Sequence, residues 1–144
     1  MGRLLKPTPL SLDFGLLVLR ATGGLSLALG AGWGKVKDIA PFEQAIAQLG
    51  FKPPAAWAWA AALSEFIGGL LVAAGLLTRV GAFFAAVVMG VALGKVLAGE
   101  PFEKQMPALL LLGMFVTVFL CGPGKLSLDQ AFFGKARSSA PKPK

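Results

Sequence analysis

The sequence contains no histidine and no tyrosine, and its single cysteine is Cys121. Without histidine there is no imidazole to ligate haem, copper or zinc. One cysteine excludes an internal disulfide framework and a two-thiol relay, and cannot by itself hold a metal. No metal centre and no intrinsic cofactor are therefore expected. Charge is also scarce, with 15% of residues charged against 56% apolar and a mean hydropathy of +0.72. A water-soluble domain of 144 residues has too small an interior to hide that apolar surface, whereas lipid does not require it hidden.

What is present is apolar sequence rich in glycine. The 19 glycines sit inside the apolar runs, where they would weaken a soluble helix but suit close helix packing in a membrane. The spacing predicts an all-α, polytopic membrane protein: a four-helix transmembrane bundle with a short interfacial helix between helices 1 and 2. Residues 1–13 read as a basic N-terminal leader and 134–144 as a basic, disordered tail, flanking a membrane domain over 14–133. The first apolar segment, Phe14 to Trp33, carries Arg20, which argues against a cleaved signal peptide. Pro41 to Leu49 reads as an amphipathic helix in the headgroup layer, with Gly50 as its stop. The second helix runs from about Ala55 to Leu77 behind the anchors Trp57 and Trp59. Thr78-Arg79 forms a tight link to the third, Val80 to Ala98. The fourth, from Met106 to Cys121, is short for a crossing at ~24 Å unless it begins near Phe102. Ser127 and Gln130 then form a capping-box pattern.

The net charge of +7 does not indicate nucleic acid, because the basic residues gather at the ends of apolar segments and in the tail. Anionic headgroups are the expected contact. Four crossings place both termini on one side with Arg79. That side carries eight basic residues outside the bundle against five on the other, so both termini are expected in the cytoplasm.

Two charges lie within apolar segments, each costing ~2.5–3.5 kcal/mol at a bilayer centre unless partnered. Glu65 lies ~15 Å from Ala55 and Arg20 ~9–15 Å from the start of helix 1, so an Arg20–Glu65 ion pair is geometrically possible. Lys35 and Lys95, near helix ends, read as solvated anchors. Small residues at four-residue spacing (Gly30 and Gly34; Gly90 and Gly94; Ala60, Ser64 and Gly68) predict close helix contacts within the chain, a homo-oligomer being the alternative.

In order, Leu17-Val18-Leu19-Arg20, Gly32-Trp33-Gly34-Lys35, Ser64-Glu65-Phe66-Ile67-Gly68-Gly69-Leu70 with Gly75-Leu76-Leu77-Thr78-Arg79, and Gly122-Pro123-Gly124-Lys125-Leu126-Ser127-Leu128-Asp129 resemble the DoxX family of small four-helix membrane proteins. Many members have His before the glycine of Gly-x-x-Lys, where Ala31 stands here. The resemblance implies a prokaryotic cytoplasmic membrane and marks Arg20, Lys35 and Glu65 as matching positions. It also implies association with membrane redox systems such as thiosulfate:quinone oxidoreductase, hence a membrane redox partner protein; a buried carboxylate such as Glu65 is then expected to bind a quinone headgroup or relay its proton. An accessory subunit without its own redox centre is the leading expectation. Passage of a small molecule or ion along a pathway lined by Arg20 and Glu65, and a structural adaptor, are the alternatives.

Overall fold

Four rods fill the fold, and the computed structural model describes residues 9–132 of it. Residues 1–8 of the expected leader and the whole of the expected tail, 134–144, lie outside the described residues. The first rod joins α1 (Pro9–Leu25), a π-helical stretch (Ser26–Gly32) and α2 (Trp33–Lys37) without a break. The short α3 (Ala40–Gln48) follows, with Pro41 in its first turn. The second rod is α4 (Pro54–Ala74). The third is α5 (Thr78–Val91) with a second π stretch (Ala92–Val96), and the fourth is α6 (Phe102–Cys121). Four segments are long and apolar enough to cross a membrane: Leu12–Lys37, Pro54–Ala74, Thr78–Val96 and Phe102–Cys121. No strand occurs among the described residues.

Helix 4 is thus long enough for a full crossing. Its 20 residues span ~30 Å, the thickness of the hydrocarbon core. The polar first turn, Glu103 to Gln105, obscures this in the sequence. Pro101 caps that turn, its carbonyl accepting from the Lys104 N–H at 2.9 Å, and Lys104 pairs with Glu100 at 2.7 Å. The first helix also starts earlier than expected, at Pro9 rather than Phe14.

The link between α4 and α5 is Gly75 to Leu77, not Thr78-Arg79, which belong to α5. Gly75 adopts φ +73°, a left-handed value that ends α4, and the Leu76 N–H reaches back to the Leu71 carbonyl at 3.0 Å. Leu77 is left-handed too, at φ +45°, which a branched side chain adopts only under constraint.

Central to the bundle is α4, which packs on the first rod, on α3 and on α5, while α6 closes the ring against α5 and α1. Adjacent glycines serve two neighbours. Gly69 faces the first rod, where an added Cβ would lie 2.6 Å from the Gly24 carbonyl oxygen and 2.9 Å from the Ala28 nitrogen. Gly68 faces α5, where its Cβ would lie 3.3 Å from the Gly81 oxygen. The buried core beyond this seam includes Leu27, Val72, Ala85, Met89, Phe115 and Val118. Large apolar side chains such as Phe83, Leu110 and Leu120 point outward, as lipid-facing residues do.

Most of the expected small-residue rows do not carry this packing. Gly30, Gly34, Gly90 and Gly94 would each admit a Cβ with nothing within 4 Å, so they lie on open surface. The working row is Gly24, Ala28 and Gly32, opposite Gly69 and Phe66. A four-residue step overshoots the 3.6-residue α turn but suits the wider i→i+5 turn of the π stretch, shown by the Trp33 N–H bonding to the Ala28 carbonyl.

Candidate functional site

The buried carboxylate is paired, and its partner is not Arg20. Both oxygens of Glu65 lie 2.6 Å from Lys35 Nζ. Glu65 is 2% exposed and Lys35 28%, so the carboxylate is sealed while the ammonium keeps an edge on the surface. The Lys35 ammonium also sits 4.4 Å from the centre of the Phe42 ring, a cation–π contact that ties α3 to the end of the first rod. Trp33 and Phe66 stack beside it with ring centres 5.5 Å apart.

Local structure aims these groups. At Gly32 an added Cβ would lie 2.6 Å from the Phe66 nitrogen and 3.0 Å from the Glu65 carbonyl carbon, so the two backbones touch directly below the ion pair. The π turns immediately before Trp33 shift the helix phase relative to an unbroken α-helix, and Lys35 emerges facing α4. Lys35 is therefore not a solvated anchor. A terminal position in the sequence signals a snorkelling lysine, and the phase shift that redirects it leaves no mark in residue spacing.

Arg20 stands elsewhere. It is 2% exposed and lies against Gly75, where any side chain would overlap the guanidinium. Gly75 follows Glu65 by about ten residues along α4, or ~15 Å, so the two charges form no pair. Depth counted from the start of helix 1 misleads because α1 begins before the level of α4's end. Its first turns stand against the segment after α6 instead, with Asp13 accepting from the Lys125 N–H at 2.9 Å. Between Arg20 and Glu65 the seam is closed by backbone contact at Gly24–Gly69 and Gly32–Phe66. The two charges accordingly do not line one pathway.

Around Arg20, three of the sequence stretches named above meet. Its Nη2 donates to the Leu126 carbonyl. Asp129 caps the strained hairpin: Oδ1 accepts from the Leu77 N–H at 2.7 Å, and Oδ2 from the Thr78 N–H at 2.9 Å and the Thr78 hydroxyl at 2.7 Å. The Asp129 N–H donates in turn to the Gly75 carbonyl at 2.8 Å. Ser127 Oγ accepts from the Gln130 N–H at 3.2 Å, the helix-capping half of the expected box, ahead of helical residues 128–132. Residues 122–129 thus form a strap over this end of the bundle. Sequence reasoning singled out Arg20, whereas Gly75 and Asp129 entered only as members of the stretches that carry the family resemblance.

A cleft of about 280 Å³ opens between α3, α4 and α5. Its walls are apolar, with Phe51, Trp57 and Phe84 as aromatic surfaces and Ala60, Ala61 and Ser64 along α4. The Ser64 hydroxyl, the polar side chain in this lining, donates to the Ala60 carbonyl at 2.6 Å, leaving oxygen lone pairs free. Ser64 adjoins Glu65, and Ala61 lies one turn before it. The volume approaches the lower end of small-molecule sites (~300–1,000 Å³), and the lining fits a flat apolar ring better than a charged solute.

The rods, the lipid-facing exterior and the polar groups gathered inside define a polytopic α-helical membrane protein. The family profile described as DoxX matches residues 15–98, which run from α1 through the second π stretch. The chain belongs to the DoxX family. No curated protein and no solved structure matches it.

Proposed function

We propose that this chain is an accessory subunit of a quinone-linked membrane redox system, associated with a partner of the thiosulfate:quinone oxidoreductase kind. The observation that carries the reading is the apolar, aromatic-walled cleft one residue from the buried Glu65. Trp57 and Phe84 would flank a quinone ring, Ala61 would leave it room, and the Ser64 hydroxyl would meet a ring oxygen. A bound quinone supplies two-electron, two-proton chemistry. With no histidine and one exposed cysteine, this chain supplies no electron source. A sulfur-oxidising partner protein supplies the electrons.

The protein would sit in a prokaryotic cytoplasmic membrane with both termini in the cytoplasm, as its basic residues favour. The test is purification from native membranes with analysis of bound quinone and co-purifying protein, for the wild type and for Ala61→Trp, which fills the cleft. Quinone retained by the wild type and lost from the folded variant supports the reading. A wild type that carries neither quinone nor a redox partner overturns it.

A further inference from the structure

The two buried charges are treated in opposite ways. Glu65 is neutralised inside the protein by Lys35. Arg20, just as buried, has the charge of Asp129 nearby but no ion pair with it: its Nε and Nη1 have no acceptor among the described residues. Every acidic side chain of the sequence can be placed. Both oxygens of Asp129 are engaged by the α4–α5 hairpin, and Asp13 accepts from the Lys125 backbone. Asp38, Glu43, Glu65, Glu100 and Glu103 lie toward the opposite end, and segments 1–8 and 133–144 contain no acidic residue. Among the described residues no carboxylate forms an ion pair with this guanidinium.

The surroundings point to an anion from outside. Gly75 is the first residue beyond α4, so Arg20 stands at the level where the crossing ends, in reach of the headgroup layer. Arg79 and Lys125, both exposed, share this end. The Arg79 guanidinium turns back onto the strap, 3.6 Å from where a Cβ of Gly122 would be. Cations from α1, α5 and the strap suit an anion that presents oxygens in several directions, which a tetrahedral phosphate does and a planar carboxylate does not.

We infer that the Arg20 end of the bundle is a phosphate-binding site, with the phosphate taking the open guanidinium donors of Arg20 and with Arg79 and Lys125 at its rim. The phosphate enters along the strap at Lys125–Leu126, both exposed and without regular backbone structure. Gly75 keeps the room that the guanidinium needs. The phosphate comes from a lipid headgroup or from a free phosphate compound, and this site is independent of the quinone cleft.

Solid-state NMR of nitrogen–phosphorus dipolar coupling tests this directly. The triple variant Arg3→Lys, Arg79→Lys, Arg137→Lys leaves Arg20 as the sole labelled arginine of the full-length chain. One sample is reconstituted in phosphatidylglycerol bilayers, and a second is held in a phosphate-free maltoside detergent with added inorganic phosphate. Coupling at Nε or Nη1 in bilayers alone assigns the headgroup, and coupling in the detergent sample as well assigns free phosphate. Either outcome supports the site. A folded protein whose Arg20 nitrogens show no coupling to phosphorus in both samples overturns it. The wild-type chain, labelled at all its arginines, repeats the measurement with Arg79 intact, so the result does not depend on the triple variant folding normally.

Discussion

At the scale of single residues, the Lys35–Glu65 pair is lopsided, and the lopsidedness has consequences. Removing one partner of a buried pair costs about 3–5 kcal/mol because the other charge is stranded. Lys35→Met strands a carboxylate that is 2% exposed and should approach that cost. Glu65→Gln strands an ammonium that already touches the surface, so its cost should be clearly smaller, nearer the ~0–1 kcal/mol of surface pairs. The double replacement Lys35→Met, Glu65→Leu should recover most of the loss. Unfolding in lipid bicelles measures all three, and equal losses for the two single variants would contradict the one-sided burial. Much of this site was legible in the sequence: a carboxylate deep in an apolar run has to be partnered, and the small-residue row through Ala60, Ser64 and Gly68 announced a close neighbour. The partner's identity was not legible. Choosing Lys35 over Arg20 depends on the offset between two rods and on a π stretch, and neither alters residue spacing.

At the scale of elements, two devices fix how the rods meet. The first is backbone contact at Gly32. A Cβ there meets the Phe66 backbone nitrogen at 2.6 Å, and backbone cannot move aside, so Gly32→Ala should destabilise by about 1–3 kcal/mol or more. Gly30→Ala, with nothing within 4 Å, should be neutral or slightly stabilising, since alanine is the better helix former. A thermal-stability comparison of the two variants in one detergent checks this, and equal shifts would count against the seam. The second device is the strap. Asp129→Ala removes the cap from Leu77 and Thr78, worth about 0.5–2 kcal/mol, and hydrogen exchange should speed up at those two amides before it does elsewhere in α4 or α5. The rods themselves could be read from hydropathy. The strap could not, because it joins Asp13, Arg20, Gly75 and Asp129 across more than a hundred positions of sequence, and no local pattern encodes such a meeting.

At the scale of the whole molecule, charge is divided between the ends of the bundle. Among the described residues, five lysines face five acidic residues toward the α3 end, whereas the strap end holds two acidic residues, Asp13 and Asp129, with Arg20, Arg79 and Lys125. With Cys121→Ser as background, Lys104→Cys should react with a membrane-impermeant maleimide from outside intact cells, and Lys125→Cys only after permeabilisation. The reverse pattern would invert the orientation. The proposed function rests on the cleft between α3, α4 and α5, on the lipid-facing side of α4 and away from the ion pair's buried face. Photolabelling with an azido-quinone in native membranes, followed by peptide mapping, probes that claim most directly. The account predicts label on Trp57 to Ser64 and on Phe84 to Val91, competed by unmodified quinone; label confined to α1 or α6, or label that excess quinone does not displace, would contradict it.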